Sequence, residues 1–192
     1  MATVTPATLP AGTGEWVLLS YRLPREPSTP RISLWRRLKR WGVVQVGDGL
    51  VALPADARTR EQLDWAAEEA IEAGGMATVW LARPTAATQE RALAEEMAAA
   101  RAFEYEDLAV AAAEALGLSG PEQARTLRRL RRQWREITRR DFFPPEQRES
   151  AAAALRVLTG VTVLDGSRAG PPALDARSTA GTRIGSDAGE RS

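Results

Sequence analysis

Apolar and polar positions along the first half of the chain alternate between the period of a strand and that of a helix. The apolar run at residues 16–21 predicts a buried strand. Residues 31–41 place Leu34, Leu38 and Trp41 at helical spacing after Pro30 and before Gly42. Two short apolar runs then flank Asp48-Gly49, a dipeptide that favours a tight hairpin turn.

A second helix and a fourth strand complete this half. Residues 59–73 carry apolar positions at helical spacing, namely Leu63, Ala66, Ala67, Ala70 and Ile71. Gly74-Gly75 ends that helix, and residues 76–82 predict a strand. The order strand, helix, strand, strand, helix, strand is that of a ferredoxin-like domain with both helices on one sheet face. We therefore predict an α+β fold.

From residue 85 onward the pattern is helical. Residues 88–116 predict a long helix with a break near 103–105. Residues 121–140 predict another, whose buried stripe consists of Leu127, Leu130, Trp134 and Ile137. Paired prolines after Phe142-Phe143 interrupt the pattern, and the two phenylalanines are expected to anchor the turn. A final helix is predicted at 146–158, and an extended segment at 161–164.

These elements divide the chain into four parts. The predicted organisation is a flexible leader at 1–14, a ferredoxin-like domain at 15–84, a helical extension at 85–165 and a disordered tail at 166–192. The two ends are assigned by composition, since they are small, polar and poor in aromatic residues.

Two residue types are missing from the chain, and their absence excludes several kinds of chemistry. Without cysteine or histidine there is no thiol nucleophile, no imidazole base and no thiolate or imidazole metal ligand. We therefore expect a protein that is not an enzyme and needs no metal or other cofactor. No apolar run approaches the length of a membrane span, so we expect a cytoplasmic protein without membrane contact.

Charge is segregated along the helices although the formal net charge is only +1. Residues 31–41 carry five basic residues and no acid, and residues 121–140 carry eight arginines against two glutamates. Residues 60–75 and 86–118 are acidic, with five acids against one arginine and seven acids against two. Like charges on one helix face repel each other, so an anionic partner is expected to offset the repulsion.

DNA phosphate is one such partner, because the planar guanidinium fork binds phosphate oxygens with two hydrogen bonds. The predicted phosphate contacts are Arg36, Arg37, Arg40, Arg128, Arg131, Arg132 and Arg135. The alternative is a dimeric protein–protein interaction module in which basic and acidic helices pair and no DNA is bound. On either hypothesis we expect a homodimer.

The sequence resembles a known family along three runs in its first half. WVLLSYRLP at 16–24, WRRLKRWG at 35–42 and DGLVALP at 48–54 look like the N-terminal domain of the ChrB proteins. Phe103-Glu104-Tyr105 and the segment DFFP at 141–144 fit the second half of the same domain. These proteins are associated with chromate resistance and with regulation of chromate-inducible genes.

This resemblance covers roughly residues 15–160 and implies a chromate-responsive transcriptional regulator that binds DNA. Full-length members continue into a C-terminal domain, and here a short polar tail stands in that place. An oxyanion such as chromate would have to be bound by arginines, for which Arg22, Arg25 and Arg31 near the end of the first strand are candidates. A solvated loop is the alternative interpretation of those three residues.

The first half also resembles small ferredoxin-like nucleases of CRISPR adaptation, which place a metal-binding aspartate at the end of the first strand. Here that position falls in Ser20-Tyr21-Arg22, with no carboxylate. A metal nuclease is therefore not expected.

Overall fold

Residues 14–168 are described by the structure, a computed structural model, and their side chains to residue 162. The strands are β1 Trp16–Arg22, β2 Val44–Gly47, β3 Leu50–Pro54 and β4 Met76–Ala82. They form one sheet in the order β2-β3-β1-β4, and every neighbouring pair is antiparallel. The predicted α+β class is confirmed. The predicted leader and most of the predicted tail, at 1–13 and 169–192, lie outside the described residues.

Five helices are present among the described residues. They are α1 Thr29–Trp41, α2 Ala57–Glu72, α3 Ala87–Glu114, α4 Gly120–Thr138 and α5 Gln147–Arg168, with a 3₁₀ turn at Ala115–Gly117 after α3. Pro30 lies in the first turn of α1 and Gly42 ends it at φ +80°, both as predicted. α2 begins two residues before the predicted start at 59, because Asp56 and Thr59 form a reciprocal cap.

Two predicted interruptions are wrong. α3 runs unbroken through residues 103–105, where Tyr105 turns into the protein and Phe103 faces solvent at 69% exposure. Residues 161–164 are helical instead of extended, and α5 continues to Arg168, past the predicted start of the tail at 166. Thr162 accommodates the helix because its hydroxyl donates to the Leu158 carbonyl at 2.7 Å, which overrides a weak β-branched preference.

One face of the sheet packs against α1 and α2. Val17 and Leu19 of β1 alternate with outward residues and are fully buried there, together with Leu34 and Leu38 of α1. The predicted α2 stripe is buried except at Ile71, which is 55% exposed. Ile71 lies one helical position beyond the stripe's edge, so the sheet does not reach it.

The opposite face of the sheet is covered by parts of the helical half. Trp16 and Ala52 lie on this face and are 1% exposed. Ala94 and Met97 of α3 belong to the same buried cluster. Phe143, from the loop before α5, packs its ring 6.0 Å from that of Trp16. Phe143 therefore anchors its turn as predicted, by completing the core of the sheet.

A second core lies between α3, α4 and α5. Tyr105 and Leu108 of α3, Leu130 of α4 and Leu158 of α5 are fully buried in it. The α4 stripe is as predicted, although Trp134 is half-buried, with its ring 5.2 Å from that of Tyr105. α3 contributes to both cores and joins the two halves of the chain.

Two tryptophans of the sheet half are exposed. Trp65 of α2 is 55% exposed and Trp80 of β4 is 56% exposed, so neither is a core residue. β4 is an edge strand, and its apolar side chains have no neighbouring strand on one side to cover them.

Candidate functional site

The arginines of α4 form a continuous exposed face opposite its buried stripe. Spacings of three and four residues place them on one side of the helix. The members are Arg128, Arg131, Arg132 and Arg135, all exposed, and Arg139 continues the same row just beyond the end of α4. We call the four arginines of α4 in this row, without Arg139, the α4 arginine face. Four of the seven predicted phosphate contacts therefore share one surface.

The basic residues of α1 fall into two groups, some in contact with other side chains and some exposed. Arg36 and Arg40 are exposed and one turn apart. Arg37 is half-buried and its Nη1 lies 2.6 Å from Glu69 Oε2 of α2. The Lys39 ammonium lies over the Trp35 ring, 4.7 Å from its centroid. Arg37 therefore joins α1 to α2, whereas Arg36 and Arg40 remain open to an external partner.

The acidic helices neutralise few of the predicted phosphate contacts. Besides the Arg37–Glu69 pair, Arg132 Nε lies 3.9 Å from Glu136 on its own helix, where both side chains are well exposed. Within the described residues no ion pair is formed by Arg36, Arg40, Arg128, Arg131 or Arg135. Arg131 donates instead to the Thr159 hydroxyl at 3.1 Å. Most of the positive charge of these two helices is therefore unpaired within the described chain.

One charged cluster is buried where the two halves of the chain meet. Arg101 of α3 is only 7% exposed, and its Nη2 lies 3.1 Å from Glu104 Oε1. The other oxygen of Glu104 lies 3.1 Å from Arg140 Nη2. Gly42 makes room for this pairing, because a Cβ at that position would lie 2.7 Å from Arg101 Nη1. Burial lowers the pKa of Arg101, and the Glu104 carboxylate opposes that effect.

A second polar group lies beside that cluster. The Tyr105 hydroxyl donates to Asp141 Oδ2 at 2.8 Å, and Arg148 Nη1 lies 3.6 Å from the same oxygen. Burial raises the pKa of Tyr105 to about 12. Burial also raises the pKa of Asp141, although the Tyr105 hydrogen bond and Arg148 oppose the rise. Asp141 thus has the structural role of fixing the loop after α4 to α3 and α5.

An open cavity of about 530 Å³ lies where α1 ends, α2 begins and α4 ends. We call it the arginine pocket; its lining includes Arg40, Arg58, Arg139, Arg140, Gln62 and Glu136. Of these residues, only Arg40 belongs to the predicted site. Arg58 lies 81 positions from Arg139 and yet donates to its carbonyl at 2.9 Å. A local pattern in the sequence cannot predict a contact between residues that are so far apart along the chain.

The three residues predicted to bind an oxyanion lie on three successive parts of the chain. Arg22 ends β1, Arg25 lies in the loop after it, and both are exposed. Arg31, on the first turn of α1, lines a shallow cavity of about 380 Å³ with Tyr21 and Trp35. Their binding role stays a prediction.

The described residues hold no group of three or more acidic side chains arranged to take a metal ion. None of the helices within residues 14–168 has the length and apolar character needed to cross a bilayer.

Comparison with known proteins finds similarity to one family. Residues 31–116 match the family described as "Protein ChrB, N-terminal". The chain is also 33% identical over 145 residues to Protein ChrB of Cupriavidus metallidurans, a match that covers 73% of this chain and 44% of that protein. The chain therefore spans less than half the length of the curated relative it matches.

Proposed function

The chain belongs to the ChrB family through its N-terminal region, and on that premise we propose that it is a chromate-resistance regulatory protein that binds DNA. In this proposal the phosphate contacts come from the α4 arginine face and from Arg36 and Arg40 of α1. The protein acts in the cytoplasm as a regulator, without catalysis or a cofactor.

The observation that carries the proposal is the unpaired charge of the α4 arginine face. Four arginines project from one side of a 19-residue helix, and the ion pair they form within the described residues is that of Arg132 with Glu136. Repulsion among neighbouring guanidinium groups is relieved when phosphates replace the water around them. Successive layers of the row, at residues 128, 131/132 and 135, lie about one helical turn apart, so they can contact several phosphates along one side of the helix.

The sheet supports the finer fold assignment that accompanies this function. In the order β2-β3-β1-β4, β3 lies between β1 and β2, and β1 lies between β3 and β4. The two strand–helix–strand units, β1-α1-β2 and β3-α2-β4, are therefore interleaved in one sheet. That arrangement favours a ferredoxin-like domain at residues 15–84.

We predict that replacing Arg128, Arg132 and Arg135 together with glutamine weakens DNA binding and flattens its salt dependence. Each lost phosphate contact removes about 0.9 from the slope of log K against log salt, so the slope is expected to fall by about 3. The measurement is a mobility-shift titration against the promoter of the chain's own operon, at several salt concentrations.

The matched control replaces three exposed arginines outside α4 with glutamine, namely Arg83 after β4, Arg91 of α3 and Arg156 of α5. Net charge changes equally in the two variants, and only the α4 variant is expected to show a weaker dependence of log K on log salt. Equal losses would mean that binding follows total charge and not the α4 face. A wild-type chain that shifts no DNA at low salt would remove the proposal.

A homodimer that contacts no DNA is the second candidate, and the exposed edge of the sheet favours it. β4 is seven residues long, carries no charge or proline, and exposes Met76, Trp80 and Leu81. Such an edge offers unpaired backbone groups to another strand. Two copies can pair their β4 strands antiparallel without bringing like charges together, so the occupant we propose is a second copy of this chain.

We predict that Trp80→Lys converts this dimer to a monomer, because a charged side chain on an edge strand blocks pairing. The control is Trp65→Lys, which changes a tryptophan of nearly equal exposure on the face of α2 opposite its buried stripe. Light scattering after gel filtration measures the mass. A wild-type monomer at micromolar concentration, or a dimer that both variants retain, would contradict pairing through β4. Dissociation of the dimer by salt alone would point instead to paired basic and acidic helices.

A further inference from the structure

The arginine pocket brings four guanidinium groups from three helix ends into one cavity. Arg40 comes from the end of α1, Arg58 from the start of α2, and Arg139 and Arg140 from just beyond α4. One carboxylate, that of Glu136, also lines the cavity, and it already lies 3.9 Å from Arg132 on its own helix. The residues that line the pocket therefore carry four positive charges against one negative charge, and outside the lining Asp56 lies 4.0 Å from Arg58.

Two of the four arginines are held in place by the protein. Arg58 donates to the Arg139 carbonyl at 2.9 Å, and its guanidinium lies 5.5 Å from the centre of the Phe142 ring. Arg140 is paired with Glu104 at 3.1 Å, and its Nη1 reaches the Lys39 carbonyl at 3.5 Å. Neither group uses all five of its donors in these contacts. Both therefore present fixed N–H groups to the cavity.

The other two arginines have no partner of their own. The side chains of Arg40 and Arg139 are exposed and form no ion pair or hydrogen bond within residues 14–162. Both lie near Arg58 and Arg140, since all four arginines line the same cavity. A ligand that accepts hydrogen bonds in several directions can draw these two side chains in without displacing an existing contact.

We propose that the arginine pocket binds a tetrahedral oxyanion of the phosphate class. Such an anion carries up to two charges and four oxygens, so it can accept forked hydrogen bonds from several guanidinium groups at once. A planar monoanion such as nitrate offers less charge and fewer directions. The volume of about 530 Å³ exceeds that of a free anion, so the same chemistry can be supplied by a free dianion or by a backbone phosphate of DNA.

Binding of a free dianion does not depend on the proposed DNA function. The α4 arginine face can contact DNA while the pocket stays empty, and the pocket can hold phosphate in a chain that binds no DNA. One pair of variants separates the two functions. Arg58→Gln with Arg139→Gln removes two exposed arginines that line the pocket and are not among the proposed DNA contacts. Arg125→Gln with Arg129→Gln removes two exposed arginines of α4 that do not line it.

The test is calorimetric titration of the whole chain with inorganic phosphate and with sulfate, against sodium nitrate at equal ionic strength. We expect saturable binding of both tetrahedral anions and not of nitrate. The affinity is expected to fall about tenfold or more in the Arg58/Arg139 variant and to stay within about twofold in the control. Both variants change exposed side chains, and circular dichroism melting verifies that each is folded.

A short DNA duplex serves as the second arm of the same test. If free phosphate does not bind but duplex binding falls more in the pocket variant than in the control, the bound group is a backbone phosphate and the proposal stands. If the pocket variant and the control behave alike towards phosphate, sulfate and duplex, the proposal is overturned. Loss of DNA binding in the Arg128/Arg132/Arg135 variant, with phosphate binding unchanged, would support the two sites separately.

Discussion

Replacing Phe143 with alanine is expected to destabilise the protein by about 3–5 kcal/mol, the usual cost of removing a buried phenylalanine. The ring is 6% exposed and stacks on Trp16, on the sheet face that α1 and α2 do not cover. Its removal leaves a cavity between the sheet and the loop before α5, and neither is free to close it. Urea denaturation, extrapolated linearly to water, measures the change.

Phe103 provides the control for this experiment. It lies on α3 and is 69% exposed, so Phe103→Ala is expected to change stability by no more than about 0.5 kcal/mol. Similar losses in both variants would mean that Phe143 does not complete the core of the sheet. A loss at Phe143 that appeared as a separate early transition would show that the two halves unfold independently.

Replacing Glu104 with alanine is the second large effect, with an expected loss of about 3 kcal/mol. Glu104 pairs with Arg101 through one oxygen and with Arg140 through the other. Removing it leaves the charge of Arg101 buried, where it is 7% exposed and faces Arg140 without a carboxylate between them. Breaking a buried pair from one side costs more than the pair itself contributes, since the remaining charge stays out of water.

The same helix offers the control for Glu104. Glu106 is exposed two residues along α3, so Glu106→Ala is expected to change the free energy of unfolding by no more than about 0.5 kcal/mol. Glu104→Gln keeps an acceptor for Arg101 and should lie between the two. If Glu104→Ala were as stable as the control, the buried cluster would contribute nothing to holding the halves together.

The elements of the sheet half follow from local signals in the sequence. Gly42 ends α1 because only glycine takes its positive φ readily, and Asp48-Gly49 closes the hairpin with Gly49 at φ +70°. These signals act over a few residues, which is why strand and helix bounds were predicted closely. The break at 103–105 failed because aromatic residues lower helix propensity only weakly, and packing of Tyr105 decides the outcome.

Burial of β4 and of the site residues depends on neighbours that lie far away in sequence. β4 is apolar at nearly every position, as a strand covered on both faces would be, and nothing local indicates that it is an edge. Arg58 and Arg140 meet their carbonyl partners across 81 and 101 residues. The sequence does carry one indication that Arg101 is buried. It is an isolated cation in the middle of an Ala-rich acidic helix, four residues before the buried Tyr105.

The continuity of α3 bears on how sequences of this type can be exchanged during evolution. Its first half supplies Ala94 and Met97 to the sheet core, and its second half supplies Leu108 and Ala112 to the helical core. A crossover between two homologous genes at residues 83–86 looks harmless on the sequence, because it falls between a strand and a helix. It would nevertheless join a sheet from one parent to a covering helix from the other. Hybrid proteins are therefore expected to fold only when both parents have the same side chains on both sides of the interface between the sheet and α3.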